Sequence, residues 1–329
     1  MENQIIAAVL VSIVAFFTVF IITSFLIKFL EKRNLVVKDY NRKGGAMVAR
    51  PGGISIIIGV ITSEIALYAF FPSIHILAIV ITSSLAFCVG IVDDRRVMGG
   101  WFKPVALAFC AIPILLLGAY DPDLAFPLFG SVKIPVLYIG LVIFMIPITG
   151  NTINSIDVLN GIASGFTSIA SFALSAALFV MQNYEIAIAS LALGFVSLAF
   201  YRYHKFPSRI FPGDSGVLVF GATYGAIAIV GHVEVIAAVA LLPAIMNSFL
   251  FLSSMKKIVE HRQIKNPTFL SDDYKLGATH DKDAPITIVR LIVAGKSLTE
   301  KEIGTVIFEL AAFSGFLAVV TAILMSVRI

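Results

Sequence analysis

Asn151-Thr-Ile-Asn154-Ser-Ile-Asp157-Val-Leu-Asn160-Gly161 carries an amide or a carboxylate at every third position, between the apolar runs 134–149 and 161–181. On a helix, residues three apart project from neighbouring positions of one face, so these four side chains would wind as a polar stripe. Inside lipid such a stripe is costly unless polar groups meet it. What the flanking runs are therefore decides how the chain is read.

Of the 329 residues, 59% are hydrophobic and only 13% charged, and the mean hydropathy is strongly positive, well outside the range of soluble domains. The apolar residues come in runs of about 17 to 25, long enough for a helix to cross a hydrocarbon core of roughly 30 Å. Alternating segments of about ten residues, the mark of a membrane β-barrel, are absent. An all-α polytopic membrane protein is expected. Met1 to Leu30 lacks a basic leader and runs too long for a signal peptide, so it reads as a first span. Cys88 and Cys110 lie within apolar segments and read as packing residues rather than a disulfide or metal site.

Ten spans are expected: 4–30, 52–71, 74–92, 104–119, 134–149, 161–181, 185–201, 214–231, 234–255 and 303–327. The loops after odd-numbered spans hold Lys32, Arg33, Lys38, Arg42, Lys43 and Arg50, then Arg95, Arg96 and Lys103, then Arg202, Lys205 and Arg209, then the basic residues from Lys256 to Lys301. The other side keeps Lys133 and Arg328, beside Asp121, Asp123 and Glu185. Basic residues accumulate in cytoplasmic loops, which puts both termini outside. The chain shows no internal repeat and reads as one integral-membrane domain, 1–329, with one long cytoplasmic loop at about 256–302. Within that loop, β-branched Ile286 to Val293 predicts a strand, and Ser297-Leu-Thr-Glu300 predicts the capping box of the last helix. Long loops usually serve a function, here as a candidate substrate clamp.

Three polar motifs fall on the predicted cytoplasmic side: Asp93-Asp94 after the third span with Lys103 beyond it, the opening stripe after the fifth, and Phe211-Pro-Gly-Asp214-Ser-Gly216 at the eighth. A solvated helix end would explain the first, and helix capping would explain Asp214 or one residue of the stripe. Capping accounts for one turn, not for four residues at a regular interval. Lys256, Lys257, His261, Arg262 and Lys265 either grip phosphate or satisfy the positive-inside bias. Motifs distant in sequence yet sharing one side point to a single cleft with carboxylates, amides and a rim of cations. Its composition suits magnesium and a diphosphate-containing substrate.

The combination resembles the polyprenyl-phosphate N-acetylhexosamine-1-phosphate transferases (glycosyltransferase 4-like) along most of the chain. Asp39-Tyr-Asn41-Arg-Lys43 followed by Pro51-Gly52-Gly53, the Asn160-Gly161 pair and His261-Arg262 look like the dolichyl-phosphate GlcNAc-1-phosphate branch, whereas Asp157 matches the bacterial pattern, a mixture expected of an archaeal member. The resemblance implies Asn154 and Asp214 as Mg2+ ligands with Asp157 beside them, Mn2+ being a substitute. It further implies Phe211 stacked on uracil and Asn160 at its edge, Asp93 and Asp94 towards the lipid phosphate, Lys103 and Arg262 on phosphate, and His261 and Asn151 near the sugar-phosphate. The implied reaction moves GlcNAc-1-phosphate from a UDP-N-acetylhexosamine to a polyprenyl or dolichyl phosphate, releases UMP and starts a lipid-linked glycan for N-glycosylation or a surface polysaccharide. The implied partners are those substrates and membrane lipid, not nucleic acid; monomer and homodimer both stay open. The competing reading is a secondary transporter of an anionic solute. Transporters place ionisable groups near the midplane and often carry repeats. Here Glu64 and Glu309 are the only acidic residues well inside spans, and neither has an obvious partner in the sequence.

Overall fold

The computed structural model describes residues 2–40, 42, 45–96, 98–256 and 265–327. Its helices are α1 (Glu2–Lys32), α2 (Gly53–Phe70), α3 (Ile74–Arg95), α4 (Phe102–Phe109), α5 (Ile112–Leu116), α6 (Pro135–Ile156), α7 (Ile162–Val180), α8 (Tyr184–His204), α9 (Gly213–Val230), α10 (Glu234–Ala240), α11 (Leu242–Met255), α12 (Ile288–Ile292) and α13 (Glu300–Ser326). Three antiparallel hairpins, which composition did not announce, join them: β1–β2 (Val36–Lys38, Met47–Ala49), β3–β4 (Asp123–Phe126, Gly130–Lys133) and β5–β6 (Thr268–Leu270, Leu276–Ala278). Strands of three or four residues carry too little alternation to stand out in a sequence.

Eight helices among the described residues are long and apolar enough to cross a membrane, and α10 with α11 makes a ninth if that pair, bent by 76°, is one span. All ten expected segments are helical, but two are broken. The fourth divides into the short helices α4 and α5, with Pro113 in the first turn of the second. The ninth divides at Leu241, with Pro243 starting α11. Proline has no N–H to give to the preceding turn, and it enters a helix most easily at its start.

The bundle is organised around α9, which is buried almost throughout, with α3, α6, α2 and α8 packed against it. Ser83 on α3 and Thr223 on α9 share a hydrogen bond of 2.7 Å in that core. Outer helices keep large apolar side chains on the surface, such as Phe17, Phe25 and Phe29 of α1. A helix facing lipid buries no less apolar surface that way than one facing protein.

Three expectations change. The stripe, expected in the loop after the fifth span and running into the sixth, begins within the fifth span, because α6 continues to Ile156 and Asp157 forms its C-cap. Ile286 to Val293 is not a strand. Thr287 caps α12 by accepting from Arg290 N at 3.1 Å, and Asn247 Oδ1 on α11 accepts from Ile288 N at 2.9 Å, so these contacts override β-propensity. The last capping box is Thr299 with Glu302, two residues beyond the predicted pair.

Candidate active site

The N-terminus of α9 is where the distant motifs converge. Gly213 opens the helix in the left-handed region at φ +70°, and a Cβ there would lie 2.8 Å from both Asp94 carboxylate oxygens. Asp94 takes that space. Its Oδ1 accepts from Asp214 N at 3.0 Å, and its Oδ2 accepts from Ser215 N at 3.0 Å and Ser215 Oγ at 2.7 Å. A carboxylate from α3 thus satisfies backbone donors that the first turn of α9 cannot pair, in the place where the helix dipole favours negative charge.

The same arrangement leaves Asp214 facing two cations. Arg50 Nη2 donates to Asp94 Oδ1 at 2.9 Å and to Asp214 Oδ2 at 3.0 Å. Lys103 at the start of α4 donates to Asp214 Oδ1 and pairs with Asp93 Oδ2 at 2.7 Å. Asp93 Oδ1 also accepts from Met98 N at 3.3 Å. Burial works against the Arg50 charge, but Asp94 and Asp214 outweigh it and raise its pKa. The Asp93-Asp94 pair is therefore no solvated helix end: the two side chains are 8% and 4% exposed.

The stripe ends nearby and its members separate. Asn151 Nδ2 bonds back to Pro147 O at 2.8 Å, so part of that amide serves its own helix. Asn154 makes no side-chain hydrogen bond among the described residues, and its amide is half-buried. Asp157 has His204 Nε2 at 3.9 Å, too long for a hydrogen bond. Burial pushes the Asp157 carboxyl up to about 7, with Arg50 opposing and Asp214 reinforcing the shift. That mutual influence puts Asp157 within electrostatic reach of the α9 cluster. Asn160 lies beyond, in the turn to α7, bonded to Glu300 and Asp39.

Phe211 is fixed through its backbone: its N–H donates to Ala49 O at 2.9 Å and its carbonyl accepts from Gly52 N at 2.8 Å. The first hairpin is thereby bound to the segment that leads into α9. His261, Arg262 and Lys257 lie outside the described residues. Lys265 pairs with Asp281 and Asp283 at 2.9 and 2.8 Å. The long loop is held to this end of the bundle by Asn247, whose Nδ2 donates to Ser155 O at 2.9 Å in the stripe while its Oδ1 caps the loop helix.

Asp157, Asp214 and the side-chain carbonyl of Asn154 are hard oxygen donors of the kind magnesium takes. No group of three His, Cys, Asp or Glu among the described residues could hold a metal alone. Magnesium is commonly held by one or two carboxylates and the oxygens of a phosphate substrate, so this sparse set fits it. Both Asp214 oxygens would then exchange partners with Arg50 and Lys103.

Arg50, Ser215, Asp39 and Glu300 join the site without having been assigned roles from sequence. Arg50 stood among other loop cations, and only its position before Pro51-Gly52-Gly53 marked it out. Glu300 looked like half of a capping box.

The family model described as Glycosyl transferase family 4 matches residues 76–232. Over those residues the chain is similar to glycosyl transferase family 4. The matched region holds Asp93, Asp94, Lys103, the stripe and the start of α9, while Asp39, Arg50 and Glu300 flank it. A protein of Saccharolobus solfataricus with the provisional name UDP-N-acetylglucosamine–dolichyl-phosphate N-acetylglucosaminephosphotransferase is 24% identical, covering 96% of this chain and 97% of its own. A provisionally named undecaprenyl-phosphate N-acetylglucosaminyl 1-phosphate transferase of Bacillus subtilis is 28% identical over 70% of this chain and 65% of its own. The phospho-N-acetylmuramoyl-pentapeptide-transferase of Caldicellulosiruptor bescii is 29% identical over 67% and 73%. The family-4 region thus carries most of the polar cluster built above.

Proposed function

We propose that this chain is a membrane phosphotransferase that moves GlcNAc-1-phosphate from UDP-GlcNAc to a polyprenyl phosphate of the dolichyl type and releases UMP. The observation that carries this reading is the cluster at the start of α9, where Asp94 and Asp214 from distant motifs meet Arg50 and Lys103. The names of the three relatives above support the substrate class, and nothing in them favours the transporter alternative.

In the proposed reaction an oxygen of the lipid phosphate attacks the sugar-proximal phosphorus. A new P–O bond forms, the phosphoanhydride breaks, and its electrons leave with UMP. Asp214, Asn154 and Asp157 would hold magnesium, which when bound neutralises the diphosphate as charge moves to the leaving phosphate. Arg50 and Lys103, drawn in by the carboxylates, are placed to take phosphate oxygens. A base is hardly needed, because a phosphate monoester with a second pKa of about 6 is mostly dianionic at pH 7. Asp93, tied to Lys103 and to Met98 N, suits positioning better than proton abstraction. Phe211 and Asn160 would receive the uracil, with His261 and Arg262 in the long loop towards the sugar-phosphate. The acceptor's apolar tail stays in the bilayer, which favours ten crossings, with α4–α5 and α10–α11 as the broken ones and this end of the bundle cytoplasmic.

Purified protein incubated with radiolabelled UDP-GlcNAc, a short polyprenyl phosphate and magnesium should release UMP and form lipid-linked GlcNAc. No release, or release that D214N and N154A leave untouched, would sink the assignment. UDP-GalNAc and UDP-MurNAc-pentapeptide in the same assay decide the sugar.

A further inference from the structure

Asn160 is 8% exposed, and acids from two distant segments enclose its amide nitrogen. Nδ2 donates to Glu300 Oε1 at 2.7 Å and to Asp39 Oδ2 at 3.2 Å, while the backbone N–H of Asn160 donates to Glu300 Oε1 as well. A carboxamide nitrogen has two N–H groups, so both are committed. The orientation is chemically decided, since a flip would turn the amide oxygen onto two carboxylates. Oδ1 is left as a buried acceptor with no donor among the described residues. Buried acceptors are normally paired, so this one points to a ligand donor.

We propose that Asp39 and Glu300 are positioning residues that hold Asn160 as a hydrogen-bond acceptor and so make the nucleotide site choose a base with an imide N–H, uracil, over cytosine. The inference rests on the reading of Asn160 as the base-contacting residue. Uracil brings a donor at N3, whereas cytosine brings a lone pair that would face the lone pairs of Oδ1. Without the two acids the amide can turn and present Nδ2, which suits cytosine. Neither acid touches the base; each acts through Asn160. Glu300 starts α13 and Asp39 precedes the hairpin turn, so the selectivity depends on segments outside the family-4 region meeting one turn inside it.

The test measures UMP and CMP binding by calorimetry to full-length protein in lipid nanodiscs with magnesium. Wild type is expected to bind UMP at least about tenfold tighter than CMP, as a site with a committed hydrogen-bonding group rejects a mismatched partner. In D39N/E300Q the side chains keep their size but can each present an NH2 group, so the Asn160 amide is free to turn. The UMP-to-CMP ratio should fall below about threefold, with CMP binding held or improved. Both nucleotides carry the same phosphate, so the lost charge cancels in the ratio. E300D, which keeps the acceptor, should retain most of the preference. If the double variant is not recovered folded, E300A and D39A are measured singly and each should lower the ratio. An unchanged ratio in these variants, or no preference in wild type, overturns the inference while leaving the transferase reading in place. Failure of wild type to bind either UMP or UDP-GlcNAc overturns the transferase reading and this inference with it.

Discussion

Asp214 and Asp157 do different work although both are carboxylates near one cluster. Asp214 sits in the first turn of α9 between Arg50 and Lys103, so its charge is already compensated. D214N should keep the fold and lower the rate of UMP release by about 100-fold or more, the usual scale for removing an electrostatic group from a reacting centre. Asp157 is half-buried, with its carboxyl held up at about 7. Below pH 7 it keeps a proton that a cation must displace. Magnesium affinity should therefore fall as pH drops, by about tenfold per unit at most, and level off above pH 7. Calorimetric titrations from pH 5.5 to 8 check this, and D157N should flatten the profile. The sequence picked out these residues because their type and spacing were unusual in an apolar chain. It did not pick out Arg50, since an arginine near a membrane surface needs no special reason; only its two partners, 44 and 164 residues away, give it one.

At the scale of elements, the contact between α3 and α9 sets the site. Asp94 is both a member of the cluster and the cap of α9. D94A should cost about 1–2 kcal/mol of stability from the lost cap, and should also lower activity by releasing Arg50. Thermal unfolding measured beside UMP release separates the two effects. D94N, which can still accept one backbone donor, should recover more stability than activity. Gly90 tests the geometry: a Cβ there would lie 2.4 Å from Ser215 Cα, so α3 and α9 cannot stay at this distance with alanine in place. G90A should destabilise by roughly 1–3 kcal/mol through overpacking and impair turnover, although Gly90 carries no chemistry. Hydropathy gave the existence of both helices to within a few residues. It missed the end of α6, where polar Asn151 and Asn154 looked like a loop although backbone bonding continues through Ile156. A polar side chain ends a membrane segment in a hydropathy profile without ending a helix.

For the whole molecule, the stripe, Asp93-Asp94, Asp214, Arg50 and the long-loop anchor share one end of the bundle, and the β3–β4 hairpin with Lys133 lies on the segment between α5 and α6 at the opposite helix ends. With Cys88 and Cys110 replaced by serine, a cysteine at exposed Lys133 should react with a membrane-impermeant thiol reagent on intact cells, and one at exposed Lys282 only after permeabilisation. The reverse pattern would invert the assigned orientation. Composition and hydropathy by themselves determined that the chain is helical and membrane-embedded, because a bilayer leaves the backbone few ways to satisfy its hydrogen bonds. The basic loops predicted that the motifs share a side. Only the tertiary structure decided that Asp94 caps the helix carrying Asp214, that Arg50 and Lys103 compensate it, and that Glu300 and Asp39 orient Asn160. Those pairings depend on which helix ends meet, and residues more than 100 positions apart carry no local signal of it in the chain.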